Sequence, residues 1–297
     1  MARDLKLGLN FGYWAGGPPL NAIEGLQEAE RLGYDSCWTA EAYGSDCLTP
    51  LAWWGSHTER IKLGTALVQM SARTPAATAM AAMSMDHLSG GRFILGIGAG
   101  GDAEEHRAYG YDFVSGGVRV EQLEETLQII KALWTEETAT FAGRYYQVID
   151  AHCEPKPDPL PLVMMGAFKP KMLRLTAKYA DWWNVSSTGI EGYRRMAAEC
   201  ERACAEVGRD PATLRRTWGG GCICAPTQAA AEALGGDRYS TDNDDDFSFV
   251  GTPQQVIAQM RPFIDLGVDY FIVDCGGFPN LTTLELLISE VLPAVNA

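Results

Sequence analysis

"MDHLSGGRFILGIGAGG", residues 85–101, decides how the chain is read. Gly96, Gly98 and Gly101 spell G-x-G-x-x-G, the glycine signature of a dinucleotide-binding turn. That fingerprint belongs after the first strand of its unit, with an acidic residue about 20 positions on to hold a ribose. Here Gly96 sits inside the strand-like run "FILGIG", and three strand–helix units come before it. Glu121, the acid at the right distance, falls within the amphipathic stretch "VRVEQLEETLQIIKALW". The glycines therefore predict a turn at the C-terminal end of a strand in another architecture. There they let the backbone approach a ligand closely and aim N–H groups at a phosphate.

Outward from this stretch, period-two and period-3.6 segments alternate along the whole chain. "LKLGLNFG" (5–12), "DSCWTAE" (35–41), "IKLGTALVQ" (61–69) and "RFILGIGAG" read as the first four strands, each followed by a helix. "LPLVMMGAF", "DWWNVSS", "LRRTWGGGCICA" and "DYFIVDCGG" read as the next four. Strands joined through helices pair in parallel by right-handed crossovers. Eight such units predict an α/β protein, a closed (β/α)8 TIM barrel forming a single domain over 1–297. Two insertions interrupt the alternation, a β-hairpin near 138–156 around Gly143 and an acidic loop near 235–250.

Composition narrows the function. With 46% hydrophobic and 21% charged residues the chain has the profile of a soluble globular protein. A formal net charge of −14 argues against nucleic acid and anionic membranes as partners. No apolar run is long enough to cross a bilayer, and the N-terminus lacks a secretory pattern, which predicts a cytoplasmic protein. The eight cysteines show no C-x-x-C spacing and no company of histidines, so they predict buried thiols and no metal site. Asp242, Asp244 and Asp246 alternate but lack the Gly and Glu of a calcium loop, so the acidic run reads as a solvated loop.

Several weak motifs in order make the chain resemble the luciferase-like monooxygenase superfamily: "ERIKLGTALV", "SARTPAATAMAAMSMDHLSGGRFILGIGAGG", "FAGRYYQV" and "FVGTPQQVIAQMRPFIDLGVDYFIVD". The resemblance implies a barrel that holds flavin mononucleotide or the deazaflavin coenzyme F420. "WTAEAYGSDCLTPLAWWGSHTERIKLGTALVQMSARTPAATAMAAM" and "LRLTAKYADWWNVSS" look more like the F420-dependent oxidoreductases than the flavin branch.

The same resemblance assigns roles. Ala66–Leu67 match a non-proline cis peptide that forms a bulge against the cofactor ring. Gly98, Ala99, Gly100 and Gly101 after the fourth strand, Gly166 and Ala167 after the fifth, and Ser186 and Ser187 after the sixth match its phosphate and ribityl contacts. Sugar-phosphate dehydrogenases of the family carry Asp-His after the second strand, and this chain has Glu41–Ala42 there. The missing histidine argues against that sugar chemistry. Glu41, with Asp102 as a second choice, is the expected proton-transfer group; Glu105 and His106 read as the first turn of a helix. Tyr13, Trp14 and Tyr43 are expected to wall the substrate pocket. His87 falls in the "DHLSGGR" turn before the fourth strand, away from the chemistry.

The expected activity is hydride transfer between F420 and a small organic substrate, in a protein that forms a homodimer. Two other readings stay open at this point. One is a two-component monooxygenase using flavin mononucleotide, and the other a non-catalytic cofactor-binding barrel.

Overall fold

In the computed structural model eight parallel strands close on themselves. They are β1 (Lys6–Asn10), β2 (Ser36–Thr39), β3 (Lys62–Thr65), β4 (Phe93–Gly98), β5 (Leu162–Gly166), β6 (Trp182–Ser186), β7 (Arg215–Cys224) and β8 (Val268–Cys275). Each pairs in parallel with the next, and β8 returns to β1, which completes the ring. The structure describes residues 4–12, 18–42, 45–235, 239–275 and 280–297.

Alternation along the strands separates two apolar layers. Leu7, Leu9, Cys37, Leu63, Phe93, Leu95, Met165, Trp183, Val185, Trp218, Phe271 and Val273 face the helices and belong to the outer core. Trp38, Ile94, Met164, Trp182, Tyr270 and Ile272 fill the barrel lumen. The lumen is thus packed, and any site must lie at a rim. Helix caps follow local chemistry. Thr74 caps helix Pro75–Ser89, whose first residue is a proline, and Gly90 closes it in the left-handed region.

The expected insertion at 138–156 is an antiparallel hairpin, Ala139–Ala142 with Gln147–Ala151. The acidic segment holds more order than a solvated loop. A short strand, Phe249–Gly251, pairs with the end of β7, and a helix, Gln228–Gly235, precedes it. Asp244 accepts a bond from the Gly192 N–H at 2.8 Å and so serves the first turn of helix Ile190–Glu206. Among the described residues no His, Cys, Asp and Glu group could hold a metal, and no helix is long and apolar enough to cross a membrane. The seven described cysteine side chains are buried free thiols.

Candidate active site

The C-terminal strand ends bring Asn10, Ala66–Leu67, Gly98, Gly166, Ser186 and Asp274 to one rim. Here β3 and β4 fall out of step. Gly64 pairs with Ile94, yet Val68, four residues on, pairs with Ile97, only three on. The extra residue is absorbed at Ala66–Leu67, whose peptide bond is cis. The third strand, expected as one run over 61–69, is therefore split into β3 and the pair Val68–Gln69.

Several polar groups around this bulge are paired. The Thr65 hydroxyl donates to the Gly96 carbonyl at 2.7 Å and accepts from the Gly96 N–H at 2.8 Å. Ala66 N–H donates to the Thr39 carbonyl at 2.8 Å, and Glu41 N–H to the Leu67 carbonyl at 3.3 Å. Ala66 and Leu67, both half-buried, lie on the lumen cluster as its upper lid. A Cβ on Gly98 would stand 2.9 Å from Leu67 Cδ1, and one on Gly166 2.8 Å from it. A Cβ on Gly96 would run into the Thr65 carbonyl oxygen. Two of the three fingerprint glycines thus exist to admit the bulge, which explains the motif without a dinucleotide fold.

Gly100 turns the chain in the left-handed region, at φ +70°, directly over the His106 imidazole. His106 is fully buried. Its Nδ1 lies 2.6 Å from the Asp102 carbonyl, which can only accept, so Nδ1 carries the proton. Nε2 is hydrogen-bonded to the Ser71 hydroxyl at 2.8 Å. Sequence reasoning had no signal for this pairing, because Ser71 and His106 sit on different connections.

Glu41 is engaged differently from the expectation. Its carboxylate is ion-paired with Arg73 and accepts the Gln69 N–H at 3.0 Å. Burial alone would lower the Arg73 guanidinium, but the bond to Glu41 and its charge outweigh this and hold it above its ordinary value. Gln69 ties the group together, donating through Nε2 to the Glu41 carbonyl at 3.1 Å and to Glu105 Oε1 at 3.1 Å. A carboxylate committed to a cation and a backbone N–H is poorly placed to exchange protons with a substrate. Asp102 is exposed and is the N-cap of helix Ala103–Tyr109, accepting from Glu104 N–H at 2.8 Å and Glu105 N–H at 3.0 Å.

At the next corner the Ala167 side chain is buried in the outer core, and its carbonyl takes the Trp183 indole N–H at 2.9 Å. Ser186 is exposed at the rim. Ser187 adopts φ +49° and bonds through its N–H to the Gly219 carbonyl at 2.7 Å. Tyr13, Trp14 and Tyr43 lie outside the described residues. His87, as expected, sits at the far end and contacts the Pro155 carbonyl.

One pair at the active rim went unnoticed in the sequence. Asn10 Nδ2 donates to Asp274 Oδ1 at 2.5 Å, while Asn10 Oδ1 accepts the Gly12 N–H at 3.1 Å. The signal was the lumen register itself: Tyr270, Ile272, then a charged residue at the next inward position. A groove of about 590 Å³ also opens in the protein, but it lies at the opposite rim, around Arg215, Gly267 and Asp269. Four of its charged residues form the Arg215–Asp269 and Arg216–Glu201 ion pairs.

This bulged barrel with a glycine-lined C-terminal rim can be set beside known proteins. Residues 12–240 match the family model of the luciferase-like monooxygenases. The chain belongs to that family. Over 62% of its length it is 42% identical to a Mycobacterium tuberculosis protein named for coenzyme F420-dependent oxidoreduction, and the match spans 56% of that relative. It is 25% identical to an F420-dependent glucose-6-phosphate dehydrogenase of Amycolatopsis mediterranei, over 97% of this chain and 99% of the other. An F420-dependent secondary alcohol dehydrogenase, solved with an F420–acetone adduct, has the same fold. It superposes with a TM-score of 0.83 at 19% identity, covering 98% of this chain and 99% of that one.

Proposed function

We propose that the protein is a coenzyme F420-dependent oxidoreductase that moves a hydride between the deazaflavin and a small alcohol or carbonyl compound. The observation that carries this reading is the Ala66–Leu67 lid, half-buried at the mouth of a filled lumen. An apolar shelf flanked by side-chain-free positions at Gly98, Gly101 and Gly166 fits a flat tricyclic ring. Leu67 and Ala66 would back the ring. The Gly98–Gly101 turn, Ser186 and Ser187 would hold the phosphate-bearing tail through N–H and hydroxyl donors. When bound, the deazaflavin supplies the hydride acceptor or donor.

In this reading Glu41, Gln69 and Arg73 fix the height of the shelf, and Ser71 with His106 supports the glycine turn from below. Ala167 acts only through packing. The names of the curated relatives support F420 over flavin mononucleotide. The test is oxidation of a panel of secondary alcohols under argon with oxidised F420. Oxygen-independent turnover supports the reading, whereas activity that needs flavin mononucleotide, a reductase and oxygen supports the monooxygenase alternative.

A cytoplasmic homodimer belongs to the same proposal. Exposed Trp53, on helix Leu48–Gly55, and Met80 and Leu88, on the adjacent helix Pro75–Ser89, support a self-contact. Light scattering on the purified protein reads the mass directly.

A further inference from the structure

Leu67 covers one side of the barrel mouth. Its methyl groups reach the inward glycines of β4 and β5: a Cβ on Gly96, Gly98 or Gly166 would stand 3.1, 2.9 or 2.8 Å from them. In the ring of eight strands β7 lies opposite β3, with β6 beside it. That facing wall carries a polar side chain.

On β6, Trp183 and Val185 face the helices and Trp182 faces the lumen. The alternation therefore turns Asn184 and Ser186 inward. Asn184 pairs with Gly166 of β5 on one side and with Thr217 of β7 on the other. Its amide lies against β7, since a Cβ on Gly219 would stand 3.5 Å from Asn184 Oδ1 and 3.6 Å from Nδ2. With glycine at Gly166 and Gly219, the side chain has room on both flanks.

A buried amide is costly unless its polar atoms are paired. Asn184 is paired on one side only. The fully buried Thr217 hydroxyl lies 2.7 Å from Asn184 Oδ1 and 3.2 Å from the Trp183 carbonyl. A hydroxyl can donate to an amide oxygen or accept from an amide nitrogen, so it tethers the group in either orientation. The other amide atom has no hydrogen-bond partner among the described residues. Asn184 keeps 9% exposure, so the group is not sealed into the core.

The chemistry of the wall suits a neutral oxygen. Asn184, Thr217 and Ser186 carry no charge, and a primary amide donates to a carbonyl oxygen or accepts from a hydroxyl. It can thus hold either member of an alcohol–ketone couple without moving a proton. A ring backed by Leu67 would turn its free face toward β6 and β7, where this amide stands.

We propose that Asn184 hydrogen-bonds the oxygen of an uncharged alcohol or ketone substrate, with Thr217 as its positioning residue. The assignment rests on the F420 reading above.

The experiment loads wild-type protein, Asn184→Leu, Asn184→Ala and Thr217→Val with oxidised F420 and titrates acetone or cyclohexanone, reading the fluorescence of the bound deazaflavin. Cofactor and ketone are both oxidised, so nothing turns over and the readout is a dissociation constant. KM for cyclohexanol, F420 affinity by tryptophan quenching and thermal melts are measured beside it. Asn184→Leu keeps the bulk but not the amide. It is expected to weaken ketone binding and raise KM by about tenfold or more, with F420 affinity within about threefold. Asn184→Ala, which fits without repacking, is expected to do the same, and Thr217→Val to lose roughly threefold in ketone affinity.

Ketone affinity and KM that stay within threefold in both Asn184 variants overturn the assignment, even if the melts fall. A tenfold loss of F420 affinity in either variant overturns it too, because the amide then serves the cofactor. Wild-type protein that binds F420 but neither ketone nor alcohol overturns it and leaves the cofactor reading intact. Wild-type protein that fails to bind F420 overturns both.

Discussion

Leu67 stands where Gly98 has no side chain: its Cδ1 would lie 2.9 Å from a Cβ at that position. The shelf at the barrel mouth exists because glycine occupies the facing strand, and the two positions are energetically one unit. Gly98→Ala pushes against the far end of a side chain that can turn, so it is expected to cost about 1–2 kcal/mol. Gly96→Ala meets the carbonyl of Thr65, whose hydroxyl is bonded to both the Gly96 N–H and the Gly96 carbonyl, so the two backbones cannot separate freely, and it is expected to cost about 3 kcal/mol or more. Urea titrations of the two variants check this order. Pairing Gly98→Ala with Leu67→Ala is expected to recover part of the loss, since contacting residues do not add.

Glu41→Gln distinguishes a clamp from a catalyst. The side chain is 10% exposed and its partner Arg73 21%, so removing the carboxylate strands a largely buried cation. A loss of about 2–3 kcal/mol is expected, with kcat at low temperature staying within a fewfold. Thermal melts beside steady-state rates provide the readout. An unchanged melt with a hundredfold loss of kcat returns Glu41 to the proton-transfer role.

Asp102→Ala removes an N-cap and is expected to cost about 1 kcal/mol, with Asp102→Ser restoring most of it. Calorimetric melts of the pair decide this. A large effect on kcat with no effect on stability contradicts the structural role.

The cysteines predict their own silence. Burial pushes the Cys200 and Cys224 thiols up to about 12, and Cys37 and Cys47 rise further for the same reason. Reactivity follows the thiolate and its exposure. Intact-mass analysis after iodoacetamide is expected to show at most one label on the native protein and eight after denaturation. Rapid native labelling of several thiols contradicts the packing described.

The barrel was legible because eight strands and their helices each repeat a period, and period survives without tertiary information. "VRVEQLEETLQIIKALW" became the helix Gly116–Thr135 almost as read. The strand Phe249–Gly251 was not legible, since three residues are too few to show alternation. A π-helical turn at Leu287–Val291 separates the two short α-helices Thr282–Leu286 and Leu292–Asn296, and no residue type there announces one.

The site was legible only in part, for a different reason. Glycines, serines and the Ala66–Leu67 step are local signals, and the structure places most of them on one rim. The partners of Glu41, the Ser71–His106 pair and the Asn10–Asp274 pair depend on which strand ends become neighbours after the ring closes. Asn10 and Asp274 are separated by 264 positions. Their inward register could have been counted from Tyr270 and Ile272, but only once the lumen face was known.

The account stands on the claim that the Leu67 shelf holds a deazaflavin ring. The direct measurement is quenching of the intrinsic tryptophan fluorescence of the wild-type protein by coenzyme F420 and by flavin mononucleotide, titrated separately. The account predicts saturable one-site binding of F420 and at least tenfold weaker binding of flavin mononucleotide. Saturation by flavin mononucleotide with none by F420, or by neither, contradicts it.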